Sequence, residues 1–234
     1  MSGWALLVLP GAKLPSPSNA HEDVRGVRGA CMDLSAGYAT KKAIFKALYD
    51  LTREKAYESI KIPDICDRAG VSRSTFYHHF NGKFDVICWH YELILALGVN
   101  RVGVSLGWFD AHLITTTATR QYYDLYSKVR QPNASDKFFT SYYSQRREAA
   151  LRHAIVDVKK LELTPKLAFQ VRGLPHAEEW AIREWYRSPG DIGIKEICEY
   201  MVSLVPRDLY HALEIPEMPD ESTVMGSLVG DLIG

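Results

Sequence analysis

Long apolar runs are the first thing this 234-residue chain lacks. The longest, "WALLVLP" at residues 4–10, falls far short of the roughly 20 residues that cross a bilayer and has no basic stretch before it, so neither a membrane span nor a secretory leader is read. Cysteine is scarce. Cys31, Cys66, Cys88 and Cys198 stand far apart without a C-x-x-C pair, which argues against a disulfide scaffold and for free thiols in a reducing, cytoplasmic setting. Net charge is absent, with 28 basic residues against 28 acidic ones, so the chain as a whole advertises no polyanionic partner. No series of alternating apolar and polar residues marks out strands, and no motif for a cofactor is found.

What is present is helical period. With 47% hydrophobic residues the chain can bury one sizeable core or two modest ones. Residues 1–36 mix Pro, Gly and Ser without period and read as a disordered extension; Met32, just before the first strong helix, is an alternative translation start, which intact mass of the native protein would test. From Thr40, placed as N-cap, Ala43, Ile44, Ala47, Leu48 and Leu51 repeat at helical spacing. A short second helix follows in "IPDICDRA", with Pro63 tolerated in its first turn, Asp64 favouring its N-terminal end and Gly70 ending it. Ser72 caps a third helix, and a fourth begins near Asp85. Further helices are expected over 117–129, 135–160, 176–187 and 192–204, divided at Pro132, Pro175 and "SPGD", and 214–234 reads as an acidic flexible tail. The expected architecture is all-α, with a domain at 37–84 and a second at 85–213.

The stretch "AGVSRSTFYHHFNGK" at 69–83 is too polar and aromatic for a core helix and too regular for a loop. Two short helices joined by a Gly-containing turn, with a third in front, make a helix-turn-helix. Val71, Phe76 and Phe80 would face inward onto Ile44, Leu48 and Ile65, while Ser74 and His78 point the opposite way. A recognition helix presents its N-terminal residues to base edges, which nominates Arg73, Ser74 and Thr75; Tyr77, His79 and Lys83 suit phosphate contacts. Charge supports the location. Residues 40–84 carry nine Lys/Arg against five acids, a net of +4.

The segment from Thr40 to about Leu93 resembles the N-terminal DNA-binding domain of the TetR/AcrR family of transcriptional regulators, through Asp64-Ile65, Ala69-Gly70-Val71, Thr75-Phe76-Tyr77, His79-Phe80 and Lys83 in fixed register. Within it, "DICDRAGVSRSTFYHHF..K" followed by "D....W" is similar to the branch of the dihydroxyacetone-kinase operon activator. The resemblance implies base contacts from Arg73, Ser74 and Thr75, and phosphate contacts from Tyr77, His79, Lys83 and Lys41, with Lys61 replacing the usual Thr or Ser cap and able to pair with a phosphate. It departs at Pro63 and at Gly82-Lys83-Phe84, which leaves the operator sequence open. It further implies a homodimer on double-stranded operator DNA, with Trp180, Trp185, Ile194, Ile197 and Met201 at the dimer interface, and a small-molecule or protein effector acting on the second domain. The aromatic set Trp108, Tyr122, Tyr126, Phe139, Tyr142 and Tyr143 is either core packing or the lining of an effector pocket.

The expected function is that of an effector-responsive repressor without catalytic residues; an activator controlled by a protein partner, and a non-specific DNA binder, are alternatives. "GVSLG" at 103–107 matches the G-x-S-x-G of a serine hydrolase around Ser105, but no strand series precedes it. Cys66, His78, His79 and Cys88 fit no standard metal spacing, so no metal is expected.

Overall fold

The computed structural model describes residues 37–129, 134–187 and 190–215, with side chains left undescribed at 129 and 134–140; the expected N-terminal extension and most of the acidic tail lie outside these residues. The chain divides into two compact units, Met1–Leu93 and Ile94–Gly234.

In the first unit, α1 (Tyr38–Glu54) buries Ile44, Leu48 and Leu51 as its period predicts. It starts earlier than expected. Gly37, in the left-handed region at φ 65°, is the N-cap, and Thr40 lies inside the first turn. After a 3-10 turn (Tyr57–Ser59) come α2 (Ile62–Ala69), α3 (Arg73–His79) and α4 (Lys83–Leu97). Gly70 closes α2 at φ 66°, a conformation that only a residue without Cβ adopts cheaply. Ile44, Leu48, Ile65, Phe76, Phe80, Val86 and Ile87 are buried together as the core of this unit. Two ion pairs tie α2 to the end of α1: Arg68 grips Glu54 through two bonds of 2.8 and 2.9 Å, and Lys55 reaches Asp64 at 2.6 Å.

The second unit holds a 3-10 turn (Val99–Arg101), α5 (Trp108–Gln121), α6 (Tyr123–Val129), α7 (Ala134–His153), a π-helical segment (Ala154–Val158), α8 (Pro165–Arg187), α9 (Ile194–Ser203) and α10 (Arg207–Leu213). Its core gathers Val102, Leu106, Trp108, Leu151, Ile155, Val171, Leu174, Leu209 and Leu213. Three expectations change here. The helix expected from 117 begins at Trp108: Thr115 and Thr119 donate their hydroxyls to carbonyls of their own helix, those of Ala111 and Thr116, and all three threonines at 115, 116 and 119 are buried with it. The helix expected to run to 160 widens into π geometry after His153. Pro175 does not break a helix: it lies inside α8, buried beside Leu174, so the apolar face continues through the lost hydrogen bond.

The GVSLG stretch is a tight turn. The Arg101 carbonyl accepts the N–H groups of Val104, Ser105 and Leu106 at 3.0 to 3.1 Å, and Val102 and Leu106 drop into the core. Ser105 Oγ accepts from Arg101 Nε at 2.8 Å, so a guanidinium, not a base, faces it.

Candidate nucleic-acid interface

The α2–turn–α3 geometry rests on short-range capping. Ser72 Oγ accepts the Thr75 N–H at 3.0 Å and lies 2.9 Å from Thr75 Oγ1, which fixes the first turn of α3. At the start of α2, the Asp64 carboxylate accepts the Lys61 N–H at 3.0 Å; the ammonium of Lys61, having no acceptor, cannot return the bond and stays exposed. Lys55 and then that backbone bond hold the Asp64 carboxyl below its ordinary range.

Phe76, fully buried, roots α3 in the core, and this orientation leaves Arg73, Ser74, Tyr77 and His78 exposed. Tyr77 is the notable one: its ring is 56% exposed and meets Phe76 edge-on at 5.5 Å, so a large aromatic with a hydroxyl is held at the surface by a buried neighbour. Thr75 is half-buried. The His79 ring packs against the backbone of Gly37, where an added Cβ would lie 2.5 Å from its Cε1. Burial, followed by the neighbouring His78 and Lys41, pushes the His79 pKa down, so near neutral pH it carries a neutral ring.

Two residues depart from the expectation of phosphate contact. Lys83 turns inward: its ammonium donates to the carbonyls of Tyr57 at 2.7 Å, Glu58 at 3.2 Å and Ile60 at 2.9 Å, and stands 4.4 Å from the centre of the Tyr57 ring. It thereby closes the 3-10 turn ahead of α2. Lys41 is buried, with only 8% of its surface exposed.

In the second unit the members of the aromatic set differ in burial and in partners. Trp108 is a core residue whose Nε1 donates to the Tyr210 carbonyl at 3.3 Å, Tyr126 and Tyr142 are buried, Tyr122 is half-buried, and the Phe139 side chain lies outside the described residues. Tyr143 belongs to a buried polar cluster that sequence reasoning missed. Arg147 donates through Nε and Nη2 to the two oxygens of Glu178, each at 3.1 Å; Tyr143 donates to the same carboxylate at 2.8 Å; His112 Nε2 stands 3.3 Å from it. Arg147 and Glu178 are each 1% exposed. Against the cost of burial, Arg147 and then His112 hold the Glu178 carboxyl down to about 2. Arg147 and Glu178 stand 31 positions apart, which left no local spacing by which to pair them.

The residues expected at a dimer interface divide. Trp185, Ile197 and Met201 are buried within the chain itself, Trp185 donating to the Ile192 carbonyl at 2.8 Å, and this takes them out of any surface a second subunit could cover. Ile194 is half-buried. Trp180 is 60% exposed, and Phe169, not foreseen, is 80% exposed three helical turns before it on α8.

Among the described residues no helix is long and apolar enough to cross a membrane, and no group of three or more His, Cys, Asp or Glu is placed to hold a metal ion.

Residues 41–87 match the family model described as bacterial regulatory proteins, tetR family. The chain is 27% identical over 129 residues, 55% of its own length and 67% of the relative's, to the HTH-type dhaKLM operon transcriptional activator DhaS of Lactococcus lactis subsp. lactis (strain IL1403). Among solved structures it overlays the dihydroxyacetone kinase operon activator DhaS with a TM-score of 0.55 at 23% identity, covering 76% of this chain and 99% of that one. A tetR-family transcriptional regulator from Streptomyces coelicolor overlays with a TM-score of 0.44 at 19% identity, covering 82% and 90%. Residues 41–87 thus carry the helix-turn-helix of the tetR family, and the chain, all-α in fold, is similar to transcription regulators of that family in the DhaS branch.

Proposed function

We propose that the protein is a cytoplasmic, sequence-specific regulator that binds a palindromic operator as a homodimer through α3. The observation that supports this best is the exposure of Arg73, Ser74, Tyr77 and His78 on a helix whose opposite side is anchored by Phe76. Arg73 and Ser74, with Thr75 behind them, stand in the first turn, where a helix laid in the major groove meets base edges. The phosphate contacts are assigned to Tyr77, His79 and Lys61, whose side chains can donate to phosphate oxygens.

One recognition helix offers few base contacts, so two subunits are needed, with their α3 helices about 34–36 Å apart on successive turns of the duplex. Phe169 and Trp180 on α8, with Tyr200 on α9, are exposed apolar groups suited to that pairing, in place of the buried Trp185, Ile197 and Met201. Bound at a promoter, such a dimer represses by occupying it. Release by a small-molecule or protein effector requires a preference of about 5.5 kcal/mol for the non-binding state to move occupancy from nearly full to nearly empty. The relative's description as a transcriptional activator favours a second reading, in which the bound dimer recruits the transcription machinery under the control of a protein partner.

Selection of duplexes from a random library by the purified full chain tests the proposal. Enrichment of a two-fold symmetric sequence is expected; recovery of DNA without sequence preference would overturn it and leave a non-specific binder. Placing the selected site before a reporter gene then separates repression from activation by the direction of the change.

A further inference from the structure

The π-helical segment of the second unit ends in a turn that leaves apolar side chains on the outside. Ala154 and Ile155 are buried, whereas Val156, Val158 and Leu161 are all exposed. The three belong to one turn. Lys160, at φ 56°, reverses the chain, so that the Leu161 N–H returns to the Ile155 carbonyl at 2.9 Å, while the Lys159 N–H takes the Ala154 carbonyl at 2.9 Å. The charges beside them are mixed: Asp157 is taken by His153 at 2.9 Å, and Lys159 and Lys160 precede Leu161 and Glu162 in the sequence. A segment that settles here therefore needs apolar groups first, and acids for the two lysines second.

The sequence holds such a segment close by. α10 ends at Leu213, and the carbonyl of the next residue, Glu214, accepts from Lys159 Nζ at 3.3 Å. The chain thus leaves the described residues at Ile215, one position beyond a direct contact with the turn. In the sequence that follows, Val224, Met225, Leu228, Val229, Leu232 and Ile233 recur at i, i+1, i+4, i+5, i+8 and i+9, the spacing that lines up one side of a helix. The same stretch carries Glu217, Asp220, Glu221 and Asp231 and no Lys or Arg. It is an acidic tail with an apolar period inside it.

The connection between contact and period is short. Residues 216–223 span at most about 28 Å when fully extended, and a segment tethered so closely stands at the turn at an effective concentration on the order of millimolar, more than a separate protein offers. We propose that residues 224–233 dock on the exposed turn of their own chain and cover Val156, Val158 and Leu161, with Lys159 and Lys160 beside the acids of the tail. The inference goes beyond the DNA-binding function proposed above and does not rest on it.

The test places a thiol in the turn. Val158→Cys in the full chain is alkylated by a small maleimide and the rate at that site is read by peptide mass spectrometry, at a low and a high protein concentration. The same probe is timed in two further backgrounds: Leu228→Asp/Leu232→Asp, which breaks the apolar period, and Ser227→Asp/Gly230→Asp, which adds the same charge between its apolar positions. The probe is expected to react slowly in the parent background and with Ser227→Asp/Gly230→Asp, and about tenfold faster with Leu228→Asp/Leu232→Asp, at both concentrations. Equal rates in all three backgrounds, or equal acceleration by both aspartate pairs, would overturn the proposal. A rate that falls as the protein is concentrated would overturn it too and assign the turn to a second copy of the chain. Melting temperatures show whether each variant is folded, and should Val158→Cys fail to fold, Leu161→Cys decides by the same criterion.

Discussion

The His90 ring lies flat on Phe45, 3.6 Å between centres, and burial pushes its pKa down to about 3. The folded chain therefore holds this residue neutral where the unfolded chain protonates it, near pH 6.5. A depressed histidine pKa adds stability above the unfolded value and loses it as pH falls, by about 1.4 kcal/mol for each pH unit between roughly 6.5 and 3. Chemical denaturation at pH 7.5 and 5.5 should show that loss in the parent and a shallower one in His90→Phe, which keeps the ring contact without the proton; equal slopes would contradict the assignment. The inward Lys83 predicts another difference. Lys83→Met leaves three carbonyls without their shared donor and should destabilise the first unit by about 1–3 kcal/mol, whereas the exposed Lys61→Met should stay within about 0.5 kcal/mol, both read from thermal melts. Sequence showed both lysines as basic residues of one motif. It could not show that the partners of Lys83 lie 23 to 26 residues earlier, because those partners are backbone carbonyls and carry no residue identity. Arg73, Ser74 and Tyr77 were legible for the opposite reason: their exposure follows from Phe76 three residues or fewer away on the same helix.

Elements were legible where apolar period and local signals agree, as in α2 and α3, whereas α1 kept its expected period but starts at Tyr38, capped by Gly37 and not by Thr40. They were misjudged where a local signal met tertiary packing. Pro175 reads as a stop, yet Val171, Leu174 and Ala181 continue one buried face on either side of it, and α8 runs from Pro165 to Arg187. The small α10 was missed altogether, since seven residues give too short a period, although Leu209 and Leu213 are fully buried. Two glycines should behave oppositely at this scale. Gly98→Ala drives a Cβ into Thr115 and the Ala111 backbone and should cost about 1–3 kcal/mol. Gly173→Ala, on the exposed side of α8 with nothing within 4 Å of the added atom, should stabilise by about 0.5–1 kcal/mol. Melting the two variants side by side checks both signs.

At the scale of the molecule, the account requires two subunits. Phe169 at 80% and Trp180 at 60% exposure on α8 are large apolar surfaces that a lone subunit leaves in water. Phe169→Glu/Trp180→Glu should shift the protein to monomer in sedimentation velocity and weaken operator binding at fixed concentration, with helix content retained; an unchanged dimer would move the interface elsewhere. Sequence nominated Trp180 and Trp185 alike for this surface, because the two look the same until packing buries Trp185 and leaves Trp180 exposed. The most direct test of the whole account is fluorescence anisotropy of the full chain on its selected duplex and on a shuffled duplex at two salt concentrations, beside Arg73→Ala/Tyr77→Phe. The account predicts a preference for the selected duplex at both salts that the variant loses, with weaker binding at higher salt from the phosphate contacts. Equal affinity of the parent for both duplexes, or a variant that discriminates as well as the parent, would contradict it.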